Sequence, residues 1–191
     1  MSAASATFST SAESSAAYRV ILRAGLLAGA LDITAACVST WLRAGVGPAR
    51  VLQSVASGVL GADAYNGGLV SAALGLPLHF VIAVGAAAVY YAASRRLVFL
   101  VRHPVVCGLL YGVAVHLFMT LFVLRVSAFP HKFTFRPGQY AIGMGIIMLF
   151  VGLPIAVVVG RDAKREGGAR RVGRTSPGAP ATSFGHDAGA R

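Results

Sequence analysis

The sequence predicts an all-α, polytopic membrane protein with four transmembrane helices and a short interfacial helix after the first span. Three observations lead there. The residues are 56% hydrophobic and only 12% charged, whereas a soluble domain carries about 25% charged residues. Mean hydropathy is +0.71. Four apolar runs are each long enough to cross about 30 Å of hydrocarbon, which takes roughly 20 residues of helix. A chain with half the usual charge lacks the polar coat that a water-facing surface needs.

Residues 1–18 are rich in Ser, Ala and Thr, with one acid, Glu13, and no base. They cannot bury a core, and disorder is expected. No cationic segment opens the chain; Arg19 and Arg23 flank the first apolar run, about Val20–Leu42, which therefore reads as an uncleaved helix. Arg43 and Gly45-Val46-Gly47-Pro48 end it. Thr34-Ala35-Ala36-Cys37 is loosely similar to a lipoprotein cleavage site. Thr34 stands where a branched apolar residue is wanted, however, and Asp32 interrupts the would-be signal core, so cleavage is not expected. Cys37 and Cys107 both lie in apolar runs without metal-site or CxxC spacing and read as small buried hydrophobes.

From Pro48, a good first helical residue, Val51, Leu52, Val55, Ala56, Val59 and Leu60 recur with helical period. Arg50, Gln53, Ser54 and Ser57 take the other face. The stretch is too short and polar to span, and predicts an interfacial or partly re-entrant helix, broken at Asn66-Gly67-Gly68. The second span, about Leu69–Ala93, contains Pro77 and His79 and ends on Tyr90 and Tyr91, at the level of an aromatic belt. Arg95, Arg96 and Arg102, with His103, form a short basic loop expected to face lipid headgroups. The third span, about Pro104–Leu124, contains His116. Phe129, Phe133 and Phe135 among Lys132 and Arg136 predict anchoring at a headgroup boundary. The fourth span, about Gln139–Val159, stops at Arg161-Asp162-Ala163-Lys164-Arg165.

The expected organisation is a disordered tail over 1–18, a transmembrane domain over 19–160 and a disordered basic tail over 161–191. The N-terminal flank, middle loop and C-terminal tail hold 12 Lys and Arg, against 5 in the first and third loops. The positive-inside rule then places both termini in the cytoplasm. The formal net charge is +11, but the bases sit between apolar runs and in the tail, form no basic face and match no nucleic-acid motif, so no nucleic-acid partner is expected. Two internal echoes stand out. Gly25-Leu26-Leu27-Ala28-Gly29 matches Gly108-Leu109-Leu110-Tyr111-Gly112 at similar depth in spans one and three. Gly75-Leu76-Pro77 matches Gly152-Leu153-Pro154 at different depths. A duplicated hairpin and chance similarity both account for them.

The candidate site is a set of polar residues inside the spans. Counted from the predicted cytoplasmic ends, Asp32 lies 12 residues in, His79 14 and His116 12. At ~1.5 Å per residue they share one depth within roughly 3 Å. Each shares a helical face with small residues: Gly25, Gly29 and Ala36 for Asp32; Ala72, Gly75, Ala83 and Ala86 for His79; Gly108, Gly112 and Thr120 for His116. Small residues mark packing faces, so all three polar groups are expected to point inward. Three roles fit them: a hydrogen-bonded structural cluster, a proton or ion path, and a metal or axial haem site.

The segments "ALDITAA", "VLQSVASGVLG", "LGLPLHF", "VRHPVVCGLLYGVAVHLFM", "SAFP" and "VGLPIAVVV", over about Leu22–Val159, resemble a widespread group of small four-helix bacterial inner-membrane proteins with no assigned reaction. The resemblance implies a multi-pass protein of a bacterial inner membrane and transfers no functional residue.

No nucleophile elbow, P-loop, HExxH or carboxylate pair occurs. No enzyme activity, catalytic residue, cofactor or metal ligand is therefore assigned. The leading expectation is a non-enzymatic membrane component or scaffold with a buried Asp/His cluster. The alternative is a small proton- or ion-coupled transporter or channel, and a membrane haem or metal protein comes third. The expected partners are the lipid bilayer and a second copy or another membrane protein.

Overall fold

The computed structural model describes the backbone of residues 3–128 and 137–174, and the side chains of 14–128 and 137–168. Among the described residues all regular structure is helical: α1 Ala3–Ala44, α2 Pro48–Leu60, a 3₁₀ turn Gly61–Tyr65, α3 Gly68–Arg96, α4 Val98–Arg102 and α5 Pro104–Phe118. A π turn, Met119–Val123, joins α5 to α6, Leu124–Val126. After the loop, α7, Pro137–Ile147, passes through a second π turn, Met148–Gly152, into α8, Leu153–Arg174. Ser14–Ala44, Gly68–Arg96, Pro104–Val126 and Pro137–Gly168 are each long and apolar enough to cross a membrane. The chain is an all-α polytopic membrane protein. The aromatic and basic anchors expected between Phe129 and Arg136 lie outside the described residues.

Both outer helices run past the expected span ends. α1 takes in residues 3–18 and α8 continues to Arg174, over parts of both tails read as disordered from composition. That reading turned on the inability to bury a core. Extending an existing helix needs no core: a span has already formed the costly nucleus, and neither Gly nor Pro interrupts residues 3–18.

The burial pattern is that of a protein solvated by lipid. The buried residues are mostly small, with Ala24, Ala28, Ala56, Ala87 and Ala156 inaccessible, while Leu22, Leu26, Trp41, Val70, Val81, Leu110 and Phe122 are exposed. Glycines let the backbones approach. A Cβ on Gly25 would lie 2.6 Å from Val84 Cα, and one on Gly112 would lie 2.5 Å from Met148 Cα. The two GLLxG segments thus do the same work. Gly25 and Gly29 seat α1 on α3, and Gly108 and Gly112 seat α5 on the second π turn and α8. Gly152 meets Gly108, while Gly75 meets the backbone of Leu52 in α2. The GLP echo therefore has no common structural role.

α1 packs on α3 on one side and on α7–α8 on another. Val20, Ala24 and Ala28 join Tyr90, Ile155 and Val159 in the core, near the ends of α3 and α8 that carry the basic residues. α3 and α5 are tied where Tyr111 Oη donates to the Ala86 carbonyl at 2.7 Å and its ring meets Tyr90 edge-on at 5.0 Å. Beyond that tie they part. An apolar groove of about 620 Å³ lies between Ile82, Val89, Ala114 and Phe118.

The helix Pro48–Leu60 forms as expected; Ala56 is buried and Val51, Leu52 and Val55 are half-buried. Gln53 and Ser57 are buried, while Val59 is 65% and Leu60 42% exposed. Gln53 Nε2 donates to the Gly68 carbonyl at 2.8 Å, and Arg50 donates to the Tyr65 carbonyl at 3.0 Å. Gln53 and Ser57 turned toward protein, with Val59 and Leu60 turned outward, suit the C-terminal part of this helix to lipid rather than to an aqueous surface.

Candidate functional site

The site is assembled around Gly29. Phe80 Cδ1 lies 2.9 Å from where a Cβ on Gly29 would stand, so a side chain there would have to displace the Phe80 ring, while Gly25 a turn earlier meets the α3 backbone at Val84 Cα. The approach brings His79 Nε2 to 3.0 Å from the Gly29 carbonyl oxygen. A carbonyl only accepts, so Nε2 carries the proton in this bond. Asp32, one turn further along α1, places Oδ2 4.0 Å from the same nitrogen. The two side chains retain 19% and 13% of their exposure, for Asp32 and His79 respectively.

That exposure faces a cavity of about 360 Å³. α1 supplies Asp32, α2 supplies Ser54, Val55 and Gly58, α3 supplies His79 and Ala83, and α6 with its following residue supplies Leu124 and Ser127. The two π turns complete it through Met119, Val123 and Val151. A local feature accompanies each π turn. Thr120 Oγ1 donates back to the His116 carbonyl at 2.8 Å, competing with the helical ladder. Pro154 has no N–H for the turn before it. π turns of this kind recur at functional sites.

The expected trio therefore divides. Asp32 and His79 meet; His116 does not line their cavity. It is 6% exposed and packs edge-on against Tyr140 of α7, ring centroids 4.6 Å apart, beside Gly143. Neither of its ring nitrogens has a hydrogen-bond partner among the described residues. Similar depth did not guarantee proximity, because the small-residue face of α5 points to α7–α8 while that of α1 points to α3. Among the described residues no three His, Cys, Asp or Glu side chains come together as a ligand set, so Asp32, His79 and His116 do not form the metal constellation weighed from the sequence.

Arg95, Arg96 and Arg102 are all exposed. Arg95 Nη1 reaches Glu166 Oε2 at 3.4 Å, with 55% and 38% of the side chains exposed. Such a pair contributes little energy, but it fixes the ends of α3 and α8 at one level, where Arg19, Arg23, Arg161, Lys164 and Arg165 are also exposed. Sequence reasoning missed the contribution of α2. The available signal was its polar face, Gln53, Ser54 and Ser57, which in a lipid-solvated chain is the face to turn inward. No family model, no curated protein and no solved structure matches the chain.

Proposed function

We propose that this protein, taken as a multi-pass component of a bacterial inner membrane, binds and exchanges a small solute at Asp32 and His79. The carrying observation is that the carboxylate and the imidazole border a 360 Å³ cavity with otherwise mainly apolar walls. An apolar pocket with a few convergent polar groups is the usual form of a small-ligand site. An ionisable side chain inside a membrane, on a path or cavity, is the usual form of a coupling group. The reading needs no catalytic step, and the protein is a non-enzymatic carrier in it. Positive-inside counting supports cytoplasmic termini, with Arg95, Arg96 and Arg102 against the cytoplasmic headgroups. The bilayer and further copies of the chain are its partners in this reading.

A purely structural component is the second reading, favoured by the His79–Gly29 bond, which ties α3 to α1. A hydrophobic carbodiimide separates the two. The reagent crosses lipid and condenses with a protonated carboxyl group: the acid O–H adds across the N=C bond, and the acyl group then migrates to nitrogen. Applied to the full chain in phosphatidylcholine nanodiscs, it should add its mass at Asp32, as read by peptide mass spectrometry. An unmodified Asp32 alongside modification of exposed acids such as Asp63 would reject the exchange site and leave the structural reading.

A further inference from the structure

The hydrogen-bond inventory of the cavity narrows the solute. Ser54 Oγ donates to the Val51 carbonyl at 2.7 Å, and Ser127 Oγ donates to the Leu124 carbonyl at 3.5 Å. His79 Nε2–H is committed to Gly29. Each of these three side-chain donors is thus directed at a main-chain carbonyl. What remains toward the interior is acceptors: the two carboxylate oxygens of Asp32 and the hydroxyl lone pairs. Among the described residues, no Lys or Arg borders the space. A ligand that fits must bring donors and positive charge. An anion would meet a carboxylate without any donor to offset it.

The second observation is the groove between α3 and α5. Ile82, Ala86, Val115, Met119 and Val123 border both the cavity and this groove, which is almost wholly apolar. An apolar group can extend there from a charged nitrogen held at Asp32.

We infer that the cavity takes a lipophilic ammonium ion, its N–H donors against Asp32 and its apolar body in the groove between α3 and α5. The inference rests on the exchange-site reading above and adds the chemical class. Protons compete for the same carboxylate: where Asp32 holds a proton, pairing with the ammonium ion breaks the carboxyl O–H and that proton leaves to water; where it is already ionised, no proton is released. Among the described residues, His79 of α3 is the titratable side chain beside Asp32, 4.0 Å away. The cavity-facing residues of α2 (Ser54, Val55, Gly58), α5 and its π turn (Val115, Met119, Val123), and α7 and its π turn (Ile147, Val151) bring none.

The test uses three probes of one shape, benzylammonium, benzyl alcohol and phenylacetate, with the full chain in phosphatidylcholine nanodiscs and empty nanodiscs subtracted. Calorimetry should show benzylammonium binding about tenfold or more tighter than the alcohol, with phenylacetate weakest and ammonium binding weakening as pH falls. Benzylammonium should also slow carbodiimide modification of Asp32. Asp32→Asn should remove the preference for ammonium over alcohol, and Asp32→Glu should retain part of it. Should Asp32→Asn not fold, the amine-to-alcohol ratio on the unaltered chain decides alone. If alcohol and ammonium bind equally, or if no probe binds while the carbodiimide still reaches Asp32, the ammonium inference is overturned and the exchange site stands. If the carbodiimide does not reach Asp32, the site reading itself falls.

Discussion

His79 on α3 donates from Nε2 to the main-chain carbonyl of Gly29 on α1 at 3.0 Å, an interhelical bond beside which a side chain at position 29 would crowd the Phe80 ring. Asp32 is further off, at 4.0 Å from the same nitrogen. The imidazole is therefore oriented by the backbone, and the carboxylate is left facing the cavity.

This arrangement predicts unequal effects at the two residues. His79→Ala loses an interhelical hydrogen bond, worth about 0.6–2 kcal/mol in membranes. Asp32→Asn keeps size and polarity and should change stability by less. Reversible unfolding in a detergent–SDS series, followed by circular dichroism, measures both. A larger loss for Asp32→Asn than for His79→Ala would show that the carboxylate, rather than Gly29, holds the ring.

Gly112 and Gly145 provide a second contrast. A Cβ at Gly112 meets Met148 Cα at 2.5 Å, while one at Gly145 meets nothing within 4 Å. Overpacking a tight contact costs about 1–3 kcal/mol. Gly112→Ala should lower the unfolding midpoint clearly, and Gly145→Ala should leave it near the starting value or raise it through better helix propensity. Equal midpoints for the two variants would remove the close approach of α5 to the second π turn.

Hydropathy and period carried the spans and the short helix because lipid solvation and helical geometry act on local sequence. The pairing of helices was only partly legible. Small residues identified packing faces, but Gly108 and Gly112 gave no sign that their partner was the Met148–Ala156 stretch rather than α3. That difference directed His116 toward Tyr140 and away from Asp32. The two π turns were also hidden, since Thr120 and Pro154 have many other outcomes in apolar helices. The helical period of α2 was readable, but not that Gln53 and Ser57 would be buried along with Ala56.

Topology yields the third prediction. Arg95, Arg96 and Arg102 gather with the bases of α1 and α8 at one end, and Asp63 lies at the other, beyond α2. A reporter active only in the periplasm should be silent when fused after Arg96 and active when fused after Asp63. The opposite pattern would invert the proposed orientation.

The last prediction concerns α2. Val59 and Leu60 are exposed and Gln53 is buried, with its amide on the Gly68 carbonyl. If the outer face of α2 lies against lipid, Val59→Asp must bring a charge into a low-dielectric surround, at a cost rising to about 2.5–3.5 kcal/mol toward the bilayer centre and falling toward its edge. In water the same substitution on an exposed face would change stability by less than about 0.5 kcal/mol. Gln53→Leu acts in the opposite sense: it removes one of the two side-chain donors to the Gly68 carbonyl, leaving the Ser71 hydroxyl at 3.1 Å, and lets Arg50 lose its contact with Gln53 Oε1 at 3.3 Å, so it should destabilise by about 0.5–1.5 kcal/mol although the new residue is more apolar. A helix lying in water would show the reverse ranking of loss at Val59, with no measurable cost. Unfolding midpoints in nanodiscs for the two variants decide this, and accessibility of Val59→Cys to a membrane-impermeant maleimide provides an independent reading: slow modification in nanodiscs and fast modification after detergent solubilisation is the outcome expected of a lipid-facing α2.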